Sequence, residues 1–149
     1  MDIQRIAIVS VPVADLDRSL AFYRDVLGME VAGGAENYGT EQEHLNSVFG
    51  ARLRITALRA NDGPGIEFLE YLAPSDGRPF PADERANDIL HRQTTIETND
   101  IDAVAKELRT NHTRLISPGV IDTADGSLGF HRALLVRDPD GHAVLIEQR

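Results

Sequence analysis

The strongest constraint on this 149-residue chain is that it repeats itself. The stretch "VADLDRSLAFYR" (13–24) lies over "TNDIDAVAKELR" (98–109). The alignment places Asp15 on Asp100, Asp17 on Asp102 and Arg24 on Arg109, an offset of 85 residues. A repeat of that length points to two copies of one supersecondary unit, neither of which hides its apolar face alone.

The surrounding residues say what the unit is. Residues 3–12 are rich in β-branched side chains (Ile3, Ile6, Ile8, Val9, Val11) and read as a strand, with Pro12 ending it or marking a sheet edge. Asp15 is the expected N-cap of a helix whose apolar residues are Leu16, Leu20, Phe22, Tyr23 and Leu27, stopped by Gly28. Then come a strand at "MEVAG", a short helix in "TEQEHLNSVFG" that could lie over a cleft as a lid, and a hairpin of "ARLRITALR" and "GIEFLEYL" joined by "ANDGPG".

The second half repeats the order, with a strand at "HRQTTIET", a helix at "NDIDAVAKELRTN", a strand at "TRLIS" and the hairpin "HRALLVRDPDGHAVLIEQ". In its turn, Pro139 and Gly141 suit a type I turn followed by a left-handed residue. That turn predicts Asp138 opposite His142, Leu135 opposite Leu145, Ala133 opposite Glu147 and His131 opposite Arg149.

The expected fold is therefore α+β, a single domain over 1–149 built of two tandem βαβββ modules forming a curved mixed sheet around a central cleft. The modules span 1–73 and 89–149, and the Pro-, Asp- and Gly-rich stretch 74–88 is the expected linker.

Composition removes whole classes of function. The chain has no cysteine, which excludes disulfides, thiolate catalysis and cysteine-ligated metals. A net charge of -9 and the lack of a Lys/Arg cluster argue against a nucleic-acid or anionic-membrane partner. No apolar run reaches the ~20 residues a membrane helix needs. The start "MDIQRIAI" lacks a signal-peptide pattern, so the expected location is cytoplasmic. No phosphate loop, dinucleotide fingerprint or serine-nucleophile motif occurs.

The segments "VADLDRSLAFYRDVLGMEV", "GIEFLEYLAP" and "VRDPDGHAVLIEQ" resemble the vicinal oxygen chelate superfamily, which includes glyoxalase I, extradiol dioxygenases, methylmalonyl-CoA epimerase and antibiotic-resistance proteins. The resemblance covers essentially the whole chain and implies a homodimer that binds a small molecule. It also implies a divalent metal held by one ligand from the first and one from the last strand of each module. Here those four places hold Ile8, Glu67, Gln93 and Leu145. Two of the four have no donor atom, so no metal cofactor is expected. If a divalent cation did bind, displaced ligands drawn from Glu67, Gln93 and His91 would have to hold it, with His131 and Glu147 as further candidates.

Strand alternation gives the residues expected to face the cleft: Ser10; Arg52, Arg54 and Thr56; Glu67, Leu69 and Tyr71; His91, Gln93, Thr95 and Glu97; His131, Ala133 and Leu135; Leu145 and Glu147. Glu67, in an apolar cleft beside Ile8 and Leu145, is the candidate base for proton transfer next to a carbonyl. His131 or His91 is the candidate partner, and Arg54, Gln93 or His131 the candidate to polarise the oxygen. The bland alternative pairs Glu67 with Arg54 as a structural salt bridge. Ser10, Arg52, Arg54, Tyr71, His91, Gln93, Thr95, Leu145 and Glu147 are the expected ligand-binding residues, the arginines for an anionic group.

Three functions remain open on sequence: a metal-free proton-transfer enzyme; a metal-dependent lyase, isomerase or dioxygenase with unusual ligands; and a binding or sequestering protein. His44 and His142 read as surface residues, His112 as a helix-end residue that favours the helix dipole, and Phe22 and Tyr23 as core.

Overall fold

The computed structural model describes residues 2–123 and 126–149. The chain divides into two compact units, 1–79 and 80–149. Each is a four-stranded mixed sheet with a helix packed on one face.

In the first unit, β1 (Ile8–Val13), β2 (Glu30–Tyr38), β3 (Arg52–Arg59) and β4 (Gly65–Ala73) are arranged β1-β4-β3-β2. β1 runs parallel to β4 and the other pairs are antiparallel. Pro12 is accommodated because β1 is an edge strand. The expected start at residue 3 is not seen. The strand begins at Ile8, where pairing with Gly65 begins, and Ile3 and Ile6 are exposed.

Helix α1 (Leu16–Leu20) is capped by Asp15, whose Oδ1 accepts from Arg18 N at 3.0 Å. It continues as a π-helical segment, Ala21–Val26, and Gly28 follows at φ 75°. Leu16, Phe22 and Tyr23 are buried, and the Tyr23 ring lies 4.7 Å from that of Phe68 on β4. Helix α1 therefore covers the sheet face that carries Ile66, Phe68 and Leu58. Full burial of side chains this size contributes about 1.5–3 kcal/mol each. Between β2 and β3, α2 (Thr40–Asn46) ends at Ser47 in the left-handed conformation, before the expected Gly50. His44 is exposed on it, as expected.

In the second unit, β5 (Gln93–Glu97), β6 (Ile121–Asp122), β7 (Arg132–Arg137) and β8 (Ala143–Gln148) are arranged β5-β8-β7-β6, again with the first strand parallel to the last. Asp100 caps α3 (Ile101–Thr110) as Asp15 caps α1, accepting from Ala103 N at 3.0 Å. Ile101, Ala105 and Leu108 on α3 are buried, as are Leu134, Val136, Val144 and Ile146 on the sheet.

The last hairpin has the predicted register. Leu135 pairs with Leu145 and Ala133 with Glu147, and Asp138 N donates to His142 O at 2.9 Å. Gly141 takes φ 104°. The strands stop at Arg132 and Gln148, so His131 and Arg149 lie just beyond the ladder. "TRLIS" is not a strand. It touches β7 through one isolated bridge, Leu115 to Val136, and the edge strand proper is the two-residue β6.

The stretch expected to be a linker contributes to the second unit. The Phe80 ring packs edge-on against His142 at 5.0 Å. It also lies over Gly141, where a Cβ would sit 3.2 Å from Phe80 Cδ1. His142 is thus half-buried under Phe80, where an exposed residue was expected.

Candidate functional site

Pairing decides which side chains share a face, because successive residues of a strand alternate. In the first unit, Ser10 is in register with Glu67, Pro12 with Leu69, and Tyr71 lies two residues further along β4. Ile55 and Ala57 on β3 are in register with Leu69 and Glu67. All lie on the face opposite α1. The Ser10 hydroxyl donates to Glu67 Oε1, so the carboxylate is held by a neighbour across the β1–β4 pair. Glu67, Leu69 and Tyr71 are half-buried, while Ser10 and Ile8 are exposed.

Arg52, Arg54 and Thr56 do not share that face. Thr56 is in register with Phe68 and Arg54 with Glu70, which places both on the α1 side. Arg54 Nε donates to Glu70 Oε2 at 2.7 Å and Nη2 to Asp17 Oδ2 at 3.2 Å. Arg52 pairs with Glu36. The alternative Arg54–Glu67 salt bridge is not formed, because Arg54 is in register with Glu70 and so lies on the face opposite Glu67. Arg52 also lines a cavity of about 480 Å³ with Tyr38 and Glu43 at the end of the sheet.

In the second unit the expected set is largely together. Gln93 is in register with Ala143, Thr95 with Leu145, and Glu97 with Glu147. Leu135 and Ala133 continue these rows on β7. The rows lie opposite the face packed by α3. Glu147, only 8% exposed, accepts from Arg149 Nε at 3.1 Å, and Arg149 Nη2 lies 2.8 Å from Glu97 Oε1. Glu147 is thereby occupied by an ion pair.

His131 precedes β7. It is exposed, its N–H donates to Gln148 O at 2.9 Å, and its ring lies against Gly126. His91 is not on β5 either. It precedes Gln93 in a turn, and its Nδ1 sits 2.6 Å from Glu84 Oε1. Glu84 went unread in the sequence because it stands among "PADERAND", whose composition signals only loop.

The donor chemistry does not fit the metal site that the resemblance implies. Ile8 and Leu145 offer no donor atom, and the Glu67 carboxylate accepts from Ser10. Among the described residues, no group of three or more His, Cys, Asp or Glu side chains is placed to hold an ion. Among those residues, too, no helix is long and apolar enough to cross a membrane.

The sequence profile of the Glyoxalase/Bleomycin resistance protein/Dioxygenase superfamily matches residues 5–146. The chain belongs to this superfamily. A 2-epi-5-epi-valiolone epimerase from an Actinomyces species is 31% identical over 106 residues. That match covers 68% of this chain and 55% of the epimerase, so the chain spans about half the length of this relative.

Among solved structures, a glyoxalase family protein from Bacillus cereus superposes with a TM-score of 0.82 at 20% identity, covering 99% of this chain and 95% of that one. Glyoxalase I of Leishmania major gives 0.63 at 20% identity, covering 97% and 86%. At such identities the likeness speaks for the fold, and the superfamily fold carries many chemistries. Superfamily members commonly use divalent metals, so the loss of two donor positions is a departure of this chain from the common pattern.

Proposed function

We propose that this superfamily member is an isomerase-type enzyme that moves a proton at a carbon next to the carbonyl of a small, partly apolar molecule, without the standard metal site. The carrying observation is Glu67, held by the Ser10 hydroxyl on the sheet face away from α1 beside Ile8 and Leu69. A half-buried carboxylate oriented by one hydrogen bond keeps lone pairs to accept a proton. The C–H electron pair moves into the enolate and its charge onto the carbonyl oxygen. Delivery of a proton from solvent to the opposite face inverts the carbon, and Glu67 gives up the proton it took to solvent. The epimerase relative supports the reading, since its named substrate is, by its ending, a carbonyl compound. On the second unit, Gln93 and Thr95 are exposed hydrogen-bonding groups. The homodimer expected from the resemblance belongs to the same reading, and light scattering at twice the 16.4 kDa chain mass would register it.

The test is incubation with 2-epi-5-epi-valiolone in deuterated water. The expected result is deuterium at the inverted carbon, with Glu67→Gln reducing exchange by about 10²–10⁴-fold. Exchange unchanged in Glu67→Gln overturns Glu67 as the base. Activity abolished by a chelator and restored by one cation overturns the metal-free reading. Ligand affinity retained in Glu67→Gln, with no turnover by the wild type, makes the protein a binder.

A further inference from the structure

The first unit holds a cavity that the proton transfer assigned to Glu67 does not use. It has a volume of about 480 Å³ and lies where β2 ends and β3 begins, beside the last residue of β4. Small-molecule sites span ~300–1,000 Å³. Ala73, on the cavity wall, stands six residues beyond Glu67 on β4, about 20 Å along the strand.

The local sequence keeps this space open. Gly39 leads into α2 at φ 100°, and Gly50 precedes β3 at φ 71°, both conformations that favour glycine. These two glycines line the cavity together with Ala51 and Ala73. A Cβ at Gly50 would meet no atom within 4 Å. Most of the wall therefore carries a methyl group or less, and the polar chemistry is left to Tyr38, Glu43 and Arg52.

The charges of those three decide what fits. Arg52 is engaged, since its Nε donates to Glu36 on β2. Glu43 is half-buried on α2, and its carboxylate has no hydrogen bond or ion pair among the described residues. The Tyr38 side chain has no hydrogen bond among them either, and Tyr38 is exposed. Arg52 and Glu36 neutralise one another, which leaves the Glu43 carboxylate as the net charge. A carboxylate partly withdrawn from water is stabilised by a cation beside it. An anionic ligand would meet Glu43 uncompensated and find the guanidinium already paired. The tyrosine ring adds a face that attracts ammonium groups. Two large apolar side chains adjoin the wall in sequence and are exposed, Phe49 before Gly50 and Leu72 before Ala73.

We propose that this cavity is a second ligand site, for a small organic amine in its ammonium form, with Glu43 as the counter-ion and the Tyr38 ring against the charged nitrogen. The ammonium N–H groups donate to the Glu43 carboxylate, which only accepts. Ala51 and Ala73 cover the apolar part of the ligand. No bond is made or broken there.

The test needs no turnover, so its failure is separate from any failure of Glu67. The full chain, isotope-labelled, is titrated with phenethylammonium chloride while every backbone amide signal is followed. Phenylethanol and phenylacetate serve as the uncharged and anionic counterparts. The expected result is saturable shifts centred on Gly39, Gly50 and Ala51, with the ammonium bound about tenfold more tightly than the alcohol. Glu43→Gln should weaken the ammonium about tenfold and Tyr38→Leu about twofold to fivefold. Glu107→Gln, which removes one exposed negative charge from α3, should leave it unchanged. That comparison separates the cavity from general attraction of cations to a chain of net charge -9. If Glu43→Gln does not fold, Glu43→Asp, which shortens the reach of the carboxylate, should weaken the ammonium and not the alcohol. Shifts that leave out Gly39, Gly50 and Ala51 overturn the site. Equal binding of ammonium and alcohol, or an unchanged ammonium affinity in the Glu43 variant, overturns Glu43 as the counter-ion. Unchanged affinity in Tyr38→Leu removes the ring from the site. Tighter binding of phenylacetate makes Arg52 the recognising group and overturns the cation. Equal weakening by Glu107→Gln reduces the effect to net charge and overturns a local site.

Discussion

The first unit ends its sheet with β2, nine residues exposed along their whole length, whereas the second ends its sheet with β6, two residues long. The second unit instead gains the turn 80–91, anchored by Glu84 and Phe80, which has no counterpart among the residues ahead of β1. What the units share is the part needed to seat one helix on one sheet. Each has an aspartate cap (Asp15, Asp100) and a parallel pairing of first and last strands. Each also has an aspartate in the first turn of the helix that reaches an arginine on the sheet, Asp17 to Arg54 and Asp102 to Arg132. Duplicated sequence has kept the helix–sheet joint. The sheet edges, which carry fewer packing constraints, have diverged.

The largest effect should come from the shared cores. Phe68→Ala in the first unit is expected to cost about 3–5 kcal/mol and Ile146→Ala in the second about 2–5 kcal/mol, read from denaturant midpoints. Near-equal losses would mark the units as equivalent; a far smaller loss in one would break that equivalence.

The difference between the units is sharpened by Glu84→Ala. It leaves Arg137 buried without its counter-charge and is expected to cost about 3–5 kcal/mol. By contrast, Arg54→Met, at a half-exposed pair, should cost under about 1 kcal/mol. Equal losses would show that the buried pair is no stronger than the exposed one.

Removing either cap, by Asp15→Ala or Asp100→Ala, should cost about 1 kcal/mol each in thermal unfolding. Clearly unequal losses would show that the two caps do not share one role.

The smallest effect is a pH effect at Asp102. Hydrogen bonds from Arg132 hold its carboxyl below the ordinary carboxylate range. A depressed folded value stabilises the protein above the unfolded carboxylate pKa, and that contribution is lost as pH falls through the folded value. Wild type should therefore exceed Asp102→Asn in stability at pH 7 and converge with it in acid. A constant gap across an acid titration would remove Asp102 from the linkage.

The two hairpins show how far the sequence could be read. In "DPDGH" the turn residues demand one conformation, with Gly141 at φ 104°, and the whole register of β7 on β8 follows from it. In "ANDGPG" several loop geometries satisfy the residues. Alternation alone does not say which of a strand's two faces meets the helix, so Arg52, Arg54 and Thr56 were expected on the face opposite the one they occupy. Ser10, Glu67 and Tyr71, and likewise Gln93, Thr95 and Leu145, were placed together correctly because their strands carry clear alternation. His91 and Glu84 meet through a turn whose residues carry no periodic signal.

By itself the sequence determined the duplication, the two capped helices, the strands with strong alternation, and the absence of donors at Ile8 and Leu145. These are local or periodic properties, written in short stretches of chain. Tertiary structure alone decided that Glu67 is held by Ser10, that Arg54 serves Asp17 and Glu70, and that a linker glutamate is buried between His91 and Arg137. Each of those joins residues from separate segments, and which partner a charged side chain meets depends on register and burial, which no single stretch encodes.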